Sequence, residues 1–217
     1  EEFLFIDNLE NDLYVLDKDM DVIGDVTGMG LGEELHSVRF IDETGYLVTF
    51  RQIDPLHIVD LSDPRNPQLK GELEVPGFSA YLHPIGSTKL IGIGNESSRL
   101  KVSLFDVSDP NNPREISVYN LDEWYDASSA FHRALLFDTD HSYLFIPSQS
   151  KGHIFTFAND KIELVHTENN IHAKRALYID DFLYIVGEDK IVVLSIPDWK
   201  RVKTLQLNEE QIGRAHV

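Results

Sequence analysis

"DLSDPRNP", residues 60–67, returns as "DVSDPNNP", residues 106–113. Each copy carries two carboxylates, a serine and two prolines between an apolar run and a more polar one. Asp-Pro is turn chemistry: Pro64 and Pro110 set φ for the second position of a type I turn, and Asp63 and Asp109 can accept a backbone N–H. Pro67 and Pro113 lack donors and so keep the start of the next strand from pairing wrongly. The phrase therefore predicts a joint between two strands of a repeated unit. Calcium binding by Asp60 with Asp63, or by Asp106 with Asp109, is the weaker reading.

Working outward, the repeat appears at every level. "RALLFD" from Arg133 recurs as "RALYID" from Arg175, and "SVRFID" from Ser37 and "SAYLHP" from Ser79 are also 42 residues apart. Each is followed by a second apolar run: "GYLVTF" (45–50), "KLIGIG" (89–94), "SYLFIP" (142–147) and "FLYIVG" (182–187). A third run follows at 56–61, 100–107, 153–157 and 190–196, and a more polar fourth at 68–75, 114–120, 161–167 and 201–207. Short runs rich in Val, Ile, Leu, Phe and Tyr, bounded by Gly, Pro, Asn or Asp, read as strands and tight turns. Four strands per repeat, with a polar outermost strand, describe a β-propeller blade rather than a two-sheet sandwich.

The expected fold is an all-β propeller of four-stranded antiparallel blades, incomplete, with about four and a half blades present. A partial blade spans residues 1–34 and supplies second, third and fourth strands from "EFLFID", "DLYVLD" and "DVIGDV". Full blades are expected over about 35–77, 78–122, 130–170 and 172–207, within a single domain of residues 1–211. The final "IGRAHV", residues 212–217, reads as the translation of a sequencing adapter. The chain opens without Met and is read as a fragment, a monomeric domain of a larger chain.

Composition narrows the partners. The 217 residues hold 37 acids and 19 bases, a formal charge of −18, which repels nucleic acid and bare anionic membranes. The chain has no cysteine, so disulfides, thiolate metal sites and cysteine nucleophiles are excluded. No apolar run reaches the ~18 residues of a membrane span, so no membrane contact is expected within this segment.

The stretch "SVRFIDETGYLVTFRQIDPLHIVDLSDPRNPQLKGELEVPGFSAYLHPIGSTKLIGIG", residues 37–94, with "LKVSLFDVSDPNNP" after it, closely resembles a family of bacterial and archaeal proteins. These are secreted or cell-surface proteins with a C-terminal β-propeller distantly related to WD40 repeats, and the resemblance runs from residue 12 to about 207. It implies a propeller, exported or anchored outside the membrane, and it supplies no catalytic residues to carry over.

Candidate chemistry is sparse. "DKDMD", residues 17–21, has alternating carboxylates, but Val22 and Gly28 stand where a calcium loop needs Gly and Glu, so a hairpin turn is expected. "GMGLGEE", residues 28–34, lacks a following helix for phosphate binding and reads as a flexible crossing between blades. "HRALLFDTDH" brings His132, Asp138, Asp140 and His141 close in sequence, which a strand and hairpin explain without metal. "DASSAFH", residues 126–132, has Ser128, Ser129 and His132 without a nucleophile-elbow pattern.

His36 and His132 are expected just before first strands, His172 slightly upstream of another, and His83 at the end of one. Arg39, Arg51, Tyr81, Arg133, Lys174 and Arg175 join them as a basic and aromatic mouth on one propeller face. An inserted linker, residues 120–132, adds Trp124 and Tyr125 as exposed recognition groups, or as local core beneath the loop. The expected function is a non-catalytic binding module that engages protein, peptide or glycan, without a metal or other cofactor. The competing class is a hydrolase or metal-dependent enzyme at the channel mouth, which requires three or more of His36, His83, His132 and His172 around one metal.

Overall fold

The computed structural model describes residues 10–50, 54–124 and 133–207. Two compact units divide the chain, Glu1–Ala127 and Ser128–Val217. The first contains a two-stranded sheet, β1 (Asn11–Leu16) with β2 (Val22–Met29). It continues with two four-stranded sheets: β3 (Glu34–Ile41), β4 (Thr44–Phe50), β5 (Asp54–Asp60) and β6 (Gln68–Val75), then β7 (Phe78–Ile85), β8 (Lys89–Glu96), β9 (Arg99–Asp106) and β10 (Arg114–Trp124). The second unit holds β11 (Leu136–Asp138), β12 (Tyr143–Pro147), β13 (Gly152–Thr156) and β14 (Glu163–Glu168), then β15 (Arg175–Ile179), β16 (Phe182–Val186), β17 (Lys190–Ser195) and β18 (Arg201–Gln206). Every sheet is an antiparallel meander in chain order, the topology of propeller blades, so the chain is an incomplete all-β propeller.

Burial follows the expected gradient from apolar inner to polar outer strands. In β8 and β9 consecutive residues are buried on both faces, whereas β18 is exposed along its whole length. Between neighbouring sheets of the first unit, Tyr46, Val48, Leu56 and Ile58 pack with Leu82, Leu90 and Phe105. In the second unit, Phe145 and Ile154 pack with Leu183, Ile185, Val192 and Leu194. Truncating a fully buried aromatic such as Phe105 or Phe145 to Ala costs about 3–5 kcal/mol.

One irregularity recurs in all five described sheets. The outermost strand bulges against its neighbour at Ile23, Lys70, Ile116, Val165 and Val202, which the register passes over. The residues after the bulge are Gly24, Gly71, Ser117, His166 and Lys203. The repeated phrase explains the two glycines. A Cβ on Gly24 would stand 2.4 Å from the Pro64 carbonyl oxygen and 2.8 Å from Pro67 Cδ. On Gly71 it would stand 2.2 Å from the Pro110 carbonyl oxygen and 3.0 Å from Pro113 Cδ. Each copy of the phrase is thus pressed onto the outer strand of the preceding sheet, with Pro67 and Pro113 buried there.

The turn chemistry inside the phrase is as expected. Asp63 accepts the Arg65 N–H on its carboxylate and the Asn66 N–H on its carbonyl, both at 3.0 Å. Asp109 receives the Asn111 and Asn112 N–H groups in the same way at 3.0 Å. Asp60 and Asp106 each accept the N–H two residues on, from Ser62 at 2.9 Å and Ser108 at 3.0 Å. Those carboxylates hold hydrogen bonds that lower their pKa, first from the neighbouring serines and then from Lys70 and Arg114.

In the Gly-rich link after β2, Asn11 Nδ2 donates to the carbonyls of Met29, Gly30 and Glu33 at 3.0–3.2 Å. The linker reading of 120–132 shortens, because Asn120–Trp124 continue β10, with Trp124 opposite Arg99. "RALLFD" pairs only from Leu136 onward. The turn at 17–21 is the hairpin expected, with Asp17 Oδ1 accepting the Asp19 and Asp21 N–H groups at 2.9 and 3.1 Å. "EFLFID" and "IGRAHV" lie outside the described residues.

One ion pair closes within a sheet and reaches the link before it, and another joins two sheets of the second unit. Lys101, buried on β9, donates to the Pro76 carbonyl at 2.6 Å and pairs with Glu115 at 3.0 Å. Arg201 of β18 donates to the buried Glu168 carboxylate of β14.

The glycine contact yields a direct test. Gly71→Ala forces the Pro110 backbone away and should lower unfolding stability by about 1–3 kcal/mol in urea denaturation. Gly86 has φ of +63° and nothing within 4 Å of an added Cβ, so Gly86→Asn should stay within about 0.5 kcal/mol. Equal losses for the two variants would contradict a steric clasp.

Candidate functional site

The first strands of adjacent sheets bring several sequence candidates together. In the first unit β3 and β7 are neighbours, joined by Ser37 Oγ donating to the Ser79 carbonyl at 2.8 Å across a 42-residue offset. His36 lies within β3, not before it, and its ring packs against Phe78 with centroids 4.7 Å apart. Arg39 sits two residues beyond Ser37 on the same strand face, because strand side chains alternate. Tyr81 and His83 are both inside β7, with the Tyr81 hydroxyl 3.2 Å from His83 Nδ1.

The electrostatics of this cluster are set by burial. Desolvation, reinforced by the Arg39 charge, lowers His83 to a pKa of about 4. His36 is lowered as well by desolvation, against an opposing pull from Glu34. Both rings are therefore neutral near pH 7. Arg39 is half-buried, its Nε is buried without a hydrogen-bond partner, and none of the described carboxylates forms an ion pair with it.

In the second unit Lys174, Arg175 and His172 are already engaged. Arg175 Nη1 donates to the Arg133 carbonyl at 2.8 Å, again 42 residues away. Lys174 pairs with Glu188 at 2.6 Å, and His172 Nδ1 lies 3.1 Å from the Gln149 carbonyl. His141 is bound by Asp138 at 2.8 Å, and that hydrogen bond raises its pKa. Trp124, at the end of β10, is 58% exposed, so it stands out as a surface aromatic rather than as core. Arg51, Tyr125 and His132 lie outside the described residues, and so do Ser128 and Ser129. Among the described residues no group of three or more His, Asp or Glu side chains is arranged to hold a metal.

Sequence reasoning passed over a buried polar chain. His57 of β5 is 2% exposed, with Nε2 3.0 Å from Thr49 Oγ1, whose hydroxyl also lies 2.6 Å from Glu33 Oε2. Thr49 has one proton to give, and the carboxylate is the acceptor that must receive it, so His57 donates through Nε2. Its Nδ1 has no hydrogen-bond partner and faces the Glu72 carboxylate at 3.7 Å. Burial lowers the His57 pKa, opposed by Glu72 and Glu33. His153 occupies the same register position in β13, with Nδ1 3.0 Å from Thr167 Oγ1. The shared signal was present in "LHIVD" and "GHIFT", a histidine followed by apolar residues in the third run of two repeats.

A polar cleft of about 450 Å³ opens beside the repeated phrase, lined by Thr44, Asp60, Ser62, Lys70, Pro110 and Asn111. Lys70 Nζ lies 3.3 Å from Asp60 Oδ2 and donates to Gln68 at 2.7 Å, so its charge is already matched.

Residues 6–199 match the sequence model of the beta propeller domain family. An uncharacterized protein of Archaeoglobus fulgidus is 43% identical over 198 residues, which is 91% of this chain and 32% of that protein. An uncharacterized protein of Methanocaldococcus jannaschii is 38% identical over 207 residues, 94% of this chain and 33% of that one. The chain thus spans about a third of the length of these relatives. Among solved structures, AztD of Citrobacter koseri superposes with a TM-score of 0.55 at 15% identity, over 91% of this chain and 56% of that one. Its apo structure gives a TM-score of 0.55 at 14% identity, over 92% and 58%. At such identities the likeness is one of fold.

The neutral histidines set a pH dependence. His83 is lowered in the folded protein from 6.5 to about 4, so in that window the unfolded chain binds the proton that the folded chain refuses. Stability is full above pH 6.5 and is lost as pH falls toward 4, and His36 and His57 act in the same direction. Urea midpoints measured from pH 7 to 4.5 should fall less steeply in His83→Gln than in the parent. An unchanged slope would remove His83 from the account.

Proposed function

The chain belongs to the beta propeller domain family, and on that premise we propose that it is a non-catalytic binding module of a secreted or surface-anchored protein. A propeller fold supports a generic interaction or scaffold role, because neighbouring first strands gather side chains from distant sequence onto one surface. The observation that carries the finer reading is the meeting of His36, Phe78, Arg39, Tyr81 and His83 on β3 and β7. This set mixes aromatic area, neutral imidazoles and one cation, the chemistry that fits a peptide or a glycan.

The acidic total argues against nucleic acid as the partner, and no helix among the described residues is long and apolar enough to cross a membrane. Location outside the cell, and the distant relation to WD40 repeats, rest on the wording of residues 37–94. Trp124, exposed at the end of β10, offers a second contact for the same class of ligand.

Probing the purified protein on peptide and glycan arrays should give a small set of specific binders. Tyr81→Ala combined with His83→Ala should weaken them about tenfold or more while the far-UV spectrum is retained. Binding that survives the double substitution, or arrays without any specific signal, would refute this surface as the site.

A further inference from the structure

Bases are outnumbered about two to one in this chain, 19 against 37 acids, so each cation has carboxylates to choose from. Several cations of the second unit show it: Lys174 pairs with Glu188, Arg201 with Glu168, and Lys200 with Asp198. In the first unit Lys101 pairs with Glu115, Lys70 with Asp60, and Arg114 with Asp106. Arg39 departs from this pattern. It is half-buried on an innermost strand, its Nε is shut off from water, and no described carboxylate reaches it.

A guanidinium nitrogen withdrawn from water without a hydrogen-bond acceptor leaves a donor unsatisfied, which is costly unless the group shifts to meet an acceptor. The groups around it do not neutralise it: Ser37, on the same face, donates its own hydroxyl to Ser79, and His83 senses Arg39 as a positive charge. We propose that Arg39 is the anchor of an oxyanion-binding site on the β3–β7 surface, taking the carboxylate or phosphate group of a ligand through its planar fork. This rests on the reading of that surface as the binding face and adds the charge class of the ligand. Guanidinium geometry matches both oxyanions bidentately, and an ammonium does not. The overall charge of −18 does not forbid it, because at physiological salt distant acids are screened beyond about 8 Å while the arginine acts at contact.

The test is an NMR titration of the whole chain with sodium acetate and, separately, inorganic phosphate, with chloride at equal ionic strength as the blank. The Arg39 Nε–H signal should shift saturably with one or both oxyanions and not with chloride. The His83 ring signal should report a raised pKa once the anion offsets the arginine. Arg39→Met should abolish the effect at His83, and Arg39→Lys, which keeps the charge without the fork, should weaken the affinity about tenfold. Saturation by acetate points to a carboxylate-bearing ligand, and saturation by phosphate alone to a phosphorylated one.

The inference is overturned if neither oxyanion shifts either signal, or if the His83 response persists in a folded Arg39→Met variant. An array ligand that binds Arg39→Met as well as the parent leaves the binding face standing and removes only the anion anchor. Saturation by phosphate with blank arrays does the reverse.

Discussion

The packing of the first unit depends on one steric allowance: a proline-bearing loop lies against the backbone of the preceding sheet where a glycine offers no Cβ. Gly24 receives the loop of Pro64 and Pro67, and Gly71 receives that of Pro110 and Pro113. The approach is close enough that any side chain at either position would overlap a carbonyl oxygen. Sheets held at that distance bury Tyr46, Val48, Leu56 and Ile58 against Leu82, Leu90 and Phe105. They also bring β3 and β7 near enough for Ser37 to donate to Ser79, which places Arg39 within the electrostatic reach of His83. Where the next described sheet in the chain has no such phrase the glycine is gone: Ser117 and His166 stand in its place. The bulge at that position is common to every described sheet, but the glycine accompanies only the proline loop.

This pairing shows where the sequence was readable. The apolar runs, their order and the turn at Asp63-Pro64 were legible because they depend on neighbours a few residues away. The meaning of Pro67 and Pro113 was not, since their contacts are with Gly24 and Gly71, more than forty residues upstream. A local reading saw only donors that were missing. The same limit applies to Asn120–Trp124, whose polar residues looked like a linker and instead prolong an outer strand, where alternate side chains face water. It applies again to the glycine cluster at 28–32, where the Met29 and Gly30 carbonyls, with that of Glu33 beyond it, accept from Asn11 on another strand.

Of the candidate site, the residues were legible and their grouping was not. Repeat position drew attention to His36, Arg39, Tyr81 and His83 together, because equivalent places in successive repeats are neighbours in such a fold. The same logic treated Lys174 and Arg175 as equals, yet those side chains are engaged by Glu188 and by the Arg133 carbonyl. Histidines also divide into two kinds that composition cannot separate. His57 and His153 lie buried in the third strands against threonine hydroxyls, and they hold a polar core position. His36 and His83, on first strands and only partly buried, keep a face toward the surface.

Neutrality of those two imidazoles bears on what the β3–β7 surface can recognise. Had they been protonated, the cluster would present three cations on a strongly acidic chain, and its field would select any anion without regard to shape. Burial removes two of the three charges and leaves the guanidinium of Arg39 alone. A single fork within electrostatic reach of His83 can discriminate by direction as well as by charge. Attraction at long range is given up, since the surrounding acids oppose it, and selectivity at contact is what remains. That balance is the one the proposed oxyanion anchor needs, because distant charges are screened and a fixed guanidinium acts at contact.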